Sequence, residues 1–107
     1  MDFTSDLGLG GSLTVYGANS DGAVTNADVE LTDADGKRWS ATVLTLAEID
    51  RLMGVWESSD ECQGGSYLRV PDLLIVRDPE RDAVVRLFVE LHRTGEHRHE
   101  LSPLSDD

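Results

Sequence analysis

The chain reads as an α+β domain: a mostly antiparallel sheet of about four strands in the order β-β-β-α-β-α, with two helices packed on one face. Three observations predict it. Apolar and polar residues alternate at Leu13/Val15, Val29/Leu31 and Trp39/Ala41/Val43, the period of a strand with one buried face. An Asp33-Ala34-Asp35-Gly36 tetrad links the second and third of these runs, which makes them a hairpin. After Thr45, and again after Asp78, the apolar spacing changes to the helical period.

Taken in order, residues 1–11 contain Gly8, Gly10 and Gly11 and are expected to form a mobile lead-in. Leu13 and Val15 then face one side of a first strand, with Thr14 and Tyr16 on the other. Gly17 to Ala23 has turn chemistry. The hairpin follows. Thr45 and Glu48 have capping-box spacing, so the hydroxyl is expected to take an orphan amide while the carboxylate reaches back. Leu46, Ile49, Leu52, Met53 and Trp56 make the stripe of the first helix. Cys62-Gln63-Gly64-Gly65 forms its exit loop, and Tyr67 to Val70 is an edge segment or short strand because Pro71 cannot donate to a ladder. Leu73 to Val76, the longest apolar run, predicts a central strand covered on both faces. Asp78-Pro79-Glu80 opens a second helix, with Val84, Leu87, Phe88 and Leu91 buried and Gly95 as its stop. Residues 96–107 are expected to be a second mobile terminus.

At 107 residues the chain is a single domain. No stretch approaches the roughly 20 apolar residues of a membrane span, the start lacks signal-peptide character, and one cysteine makes no internal disulfide. A cytoplasmic protein is expected. The net charge is −12, and residues 1–36 carry seven acids and no Lys or Arg. Such a field disfavours nucleic acid and anionic membranes as partners and favours a basic protein or a cation.

Eight of the nine basic residues are Arg, a usage typical of high-GC bacterial genomes. The string TLAEIDRLM…W…ECQGGSYL…PDLLIVRD resembles small acidic proteins of high-GC bacteria that carry no assigned activity. The similarity spans residues 36–95 and implies no functional residues.

Four features of the sequence are candidate sites. Cys62 has Asp60 and Glu61 beside it and follows a helix C-terminus, and both raise a thiol's pKa and oppose a nucleophilic role. Gly64 and Gly65 serve a turn; they precede a strand and lack the Lys of a phosphate loop. His92, Glu96 and His99 would share a face if the second helix ran past Gly95, a spacing suited to Zn²⁺ or Ni²⁺; if it stops there, His97 and His99 lie on an exposed tail. Asp33-x-Asp35-Gly36 resembles part of a calcium loop, but Leu31 stands at the first ligand position.

The leading expectation is therefore a non-enzymatic interaction domain without a cofactor, of inhibitor or immunity type, presenting Asp28, Glu30, Asp33 and Asp35 to a basic protein. The alternatives are a small enzyme or metal-binding protein using Cys62 or the metal candidates His92, Glu96, His97 and His99, and a homo-oligomeric structural module pairing through an open sheet face.

Overall fold

The computed structural model describes residues 1–59 and 72–104, with the side chains of 56–59 also outside the described set. Cys62, the paired glycines and the Tyr67–Val70 segment lie outside the described residues. The strands are β1 (Phe3–Gly8), β2 (Gly11–Tyr16), β3 (Asn26–Thr32), β4 (Arg38–Thr45), β5 (Leu73–Val76) and β6 (Ser102–Pro103). The helices are α1 (Leu46–Ser59), α2 (Arg81–Thr94) and the single turn α3 (His97–Glu100). The α+β class and the mostly antiparallel sheet hold, with six strands among the described residues where about four were expected.

The strands run β1-β2-β3-β4-β5, and β6 also pairs with β4. All pairings are antiparallel except β4 with β5, which the α1 crossover makes parallel. The two additional strands come from the segments expected to be mobile. In β1, Phe3 and Leu7 alternate with Thr4 and Asp6, a pattern weakened by Ser5 at the middle inward position. The β1–β2 turn is two residues long, Leu9-Gly10, and both have positive φ, 53° and 82°. That is the backbone of a primed hairpin turn, usually written Asn-Gly; Leu9 in the first position disguises it.

Alternation decides the two faces. Leu13, Val15, Val29, Leu31, Trp39, Ala41 and Val43 turn inward and form one apolar cluster with Val84, Phe88 and Leu91 of α2. This burial is the main stabilising term of the fold. Phe3 adds a second tie to α2, since the Arg81 guanidinium sits 3.9 Å over its ring. Of the second helix's predicted stripe, Leu87 alone is left at the surface.

Helix α1 is a different case. Thr45 caps it as expected, its hydroxyl accepting from the Glu48 amide at 3.2 Å. The return half of the capping box is missing: the Thr45 amide donates to the Thr25 carbonyl, and the Glu48 carboxylate binds Arg51 and Asn26 instead. Leu46 is 67% exposed, and no described α1 side chain joins the apolar cluster. Helix α2 also begins later than expected, at Arg81. Asp78 spends its carboxylate on the Glu80 amide in a local turn, and the Pro79 carbonyl accepts from the Val24 amide, so the chain turns before it coils. Gly95 ends α2 as predicted, with φ of 79°.

β5 departs from the expected central position. It stands at the end of the strand order, and Ile75 is 50% exposed. A four-residue apolar run has no alternation to report which face is covered, so periodicity did not distinguish a central strand from an edge one.

Replacing Leu9 by Asn should relieve left-handed strain at an exposed position. The Leu9→Asn variant is expected to gain about 1 kcal/mol in urea unfolding, and an unchanged or lowered midpoint would show that Leu9 is not strained there.

Candidate functional site

Two groupings of polar and ionisable residues lie on opposite sides of the sheet. The first is buried. Asp33 opens the β3–β4 turn, where its amide donates to the Lys37 carbonyl and its carbonyl accepts from the Gly36 amide. One carboxylate oxygen, Oδ1, accepts from the Asp35 and Lys37 amides at 2.9 and 3.0 Å. The other, Oδ2, accepts from the Trp39 indole at 3.1 Å and lies 3.5 Å from His97 Nε2. Asp33 is only 5% exposed. It was grouped with the surface acids from sequence; the structure makes it an internal anchor because the turn folds its carboxylate back over its own amides.

His97 is buried too, at 2% exposure, and not on a solvated tail. Gly95 breaks the helix and α3 turns the chain back, which drives the His97 ring between Trp39 and His92. It meets Trp39 edge-on with centroids 5.4 Å apart and an interplanar angle of 86°, and His92 at 5.4 Å and 45°. Its Nδ1 faces the Leu91 carbonyl at 3.4 Å. The His92 ring lies flat on Gly11: a Cβ there would be 2.6 Å from it. Buried His92 Nδ1 and His97 Nε2 have no hydrogen-bond partner of good geometry.

Burial alone pushes the Asp33 carboxyl up, but hydrogen bonds from Trp39 and the Lys37 and Asp35 amides, with His97 close by, outweigh it. The group titrates below its ordinary value of 3.8.

The metal candidates are separated by this arrangement. His92 and His97 turn inward, whereas Glu96 and His99 are exposed. Among the described residues no group of three His, Cys, Asp or Glu side chains is placed to hold a metal ion. The cluster holds a carboxylate and two imidazoles, but no hydroxyl or thiol nucleophile among its described side chains.

The second place is the outward face of the sheet. Cross-strand rows put Asp6 beside Ser12, Thr4 beside Thr14 and Glu30, and Tyr16 beside Asp28 and Thr42. Hydroxyls knit these rows together. Thr4 and Thr14 meet at 3.2 Å, Thr42 donates to Asp28 at 3.3 Å, and Ser40 donates to Asp72 at 3.1 Å. Glu30 pairs with Arg38 at 3.1 Å. Asp28 is exposed, Glu30 half-buried, and Asp35 exposed at the turn tip. Asp6, Tyr16 and Asp72 join this surface without having been singled out from sequence. Tyr16 was legible, since strand parity turns it away from Val15; Asp6 was not, because β1 itself was hidden, nor was Asp72, because its contacts with Ser40 and Thr42 are long-range.

No family model, curated protein or solved structure matches the chain. No helix among the described residues is long and apolar enough to cross a membrane.

Two stability changes follow from the buried cluster. Asp33→Asn removes the charge its donors were arranged around and should lower stability near neutral pH by about 1.5–3 kcal/mol. The unfolded chain binds the Asp33 proton more readily, so this contribution is fully present above about pH 4 and fades as pH falls through the lowered folded value. Urea titrations from neutral to acid pH should therefore converge for the wild type and variant; a constant gap would assign the loss to shape alone. Gly11→Ala should lower stability by about 1–3 kcal/mol through overpacking on His92, with partial recovery in Gly11→Ala/His92→Ala. A double variant no better than the single one would place the clash elsewhere.

Proposed function

We propose that the chain is a non-enzymatic interaction domain that binds a basic protein through the outward sheet face, as an inhibitor or immunity-type protein in the cytoplasm. The observation that carries this reading is the composition of that face. Among the described residues it offers four carboxylates, Asp6, Asp28, Glu30 and Asp72, beside one guanidinium, that of Arg38, and Asp35 extends the negative field at the turn. Tyr16, 44% exposed in the same surface, supplies the kind of aromatic anchor around which binding energy concentrates.

Charge decides between occupants. A second copy would bring a chain of net charge −12 against another of the same sign, whereas a basic partner gains steering from it. The hydroxyl bonds to Asp28 and Asp72 restrain those carboxylates before any partner arrives, so less side-chain freedom is lost on binding. Both arguments favour a heterologous basic protein over a homo-oligomer. With His97 buried and the remaining metal candidates dispersed, the metal-binding alternative has no comparable support among the described residues.

The test is affinity capture from the native host, followed by stopped-flow titration of the recovered partner. Association should slow by at least about tenfold between low and high salt. Asp28→Lys should weaken binding by about tenfold or more, while Asp82→Lys on α2 leaves it unchanged. A partner that binds equally well at both salt concentrations and to both variants would overturn the charge-based reading.

A further inference from the structure

The outward face does not account for the buried imidazoles, which lie on the other side of the sheet. His97 Nδ1 faces the Leu91 carbonyl at 3.4 Å, and Nε2 lies 3.5 Å from Asp33 Oδ2, within ion-pair distance but out of line for a hydrogen bond. A neutral imidazole has one N–H and one lone pair. With the proton on Nε2 the Nδ1 lone pair faces the Leu91 carbonyl, and with it on Nδ1 the Nε2 lone pair lies beside the Asp33 charge with nothing to offset it. The imidazolium alone donates to Leu91 and at the same time sets a positive charge beside Asp33.

The surroundings also suit one positive charge and not two. From the β3–β4 turn comes the ionised Asp33, buried and already accepting three hydrogen bonds. From β4 comes the Trp39 ring, and from α2 the Leu91 carbonyl and the His92 ring, which itself rests on Gly11 of β2. On α3 the neighbouring charged or titratable side chains, Arg98, His99 and Glu100, are exposed. A buried carboxylate is costly without a compensating charge. A second proton on His92 would set two cations against each other at a ring separation of 5.4 Å.

We propose that His97 is a proton-operated latch, whose imidazolium bridges Leu91 and Asp33 and so holds residues 96–104 against the β3–β4 turn. The proton comes from solvent and returns to it, and no other bond is made or broken. With the proton in place, α3 is fixed, Leu101 stays in the apolar cluster, and β6 is held along β4 with the Leu104 amide on the Arg38 carbonyl at 2.8 Å. Loss of the proton leaves a lone pair facing an oxygen and the Asp33 charge uncompensated, and the segment loosens. The latch therefore strengthens toward mildly acid pH and weakens as pH rises, opposite in direction to the Asp33 contribution. It does not depend on the identity of any partner.

The experiment is heteronuclear NMR on the full chain with ¹⁵N-labelled histidine, from about pH 5 to 8, paired with hydrogen exchange at the Leu101 and Leu104 amides. The expected result is a His97 ring protonated on both nitrogens at the acid end. Its deprotonation should coincide with a roughly tenfold fall in protection factor at those two amides. His97→Gln, which keeps one donor, should show low protection that no longer varies with pH. A His97 that stays in one neutral tautomer throughout, wild-type protection that does not change with pH, or a Gln variant that retains the wild-type pH dependence would each overturn the latch. The first two readings need only the wild-type protein, so they decide the matter even if the variant fails to fold.

Discussion

The Asp33 carboxylate is the point to which separate parts of this fold are tied. One oxygen closes the β3–β4 turn on itself through the Asp35 and Lys37 amides. The other holds the Trp39 indole and faces His97, so the same group sets a local turn, a core aromatic and the return of the chain after α2. Hydrogen bonds to a charged acceptor are among the stronger ones available to a folded chain, and removing a buried acceptor strands every donor aimed at it. Few positions couple short-range and long-range order so directly.

The β3–β4 hairpin was legible because its turn chemistry and its strand periodicity agree over consecutive residues. The α2 stripe and its Gly95 stop were legible for the same reason, since period and terminator are both local. Three features were not. β1 was hidden by Leu9, an apolar residue in a backbone conformation that usually advertises itself through Asn or Gly. β6 pairs over only two residues, too short for any period. The burial of His97 reads as implausible from a tail of HRHE, because the groups that accommodate it, Asp33 and Trp39, arrive from the far side of the sequence. For the candidate surface, parity along a strand reported which acids face outward, at Asp28 and Glu30. The same parity continued one step puts Asp33 on the side of Val29 and Leu31. An acid beyond the strand end in an Asp-Gly turn nonetheless reads as a surface residue, because its buried partner Trp39 is not visible locally.

The two faces of the sheet divide the work between apolar packing and polar order. Inward residues meet α2 in one continuous cluster, while outward residues form rows in which serine and threonine hydroxyls lie between carboxylates. Thr42 stands within reach of both Asp28 and Asp72, yet its single proton serves one at a time. The face thus carries closely set negative charges held by donors too few to neutralise them, a condition met at little expense to a fold whose stability resides on the other side.

The outer edge of β4 is shared by two short strands laid end to end, β5 along Thr42–Thr45 and β6 along Trp39–Ser40. Strands β1 to β4 form a meander in which each strand pairs with its predecessor, so they can zip together from local contacts as the chain leaves the ribosome. The far side of β4 has no such neighbour at hand. Its unpaired backbone must wait for β5, which follows the α1 crossover, and for β6, which follows α2 and α3. Until both arrive, the growing protein presents an open ladder of amides and carbonyls, the template on which strands of separate chains associate. The order of synthesis therefore leaves this edge of the sheet open until β6 emerges, and makes the last described strand a seal on it.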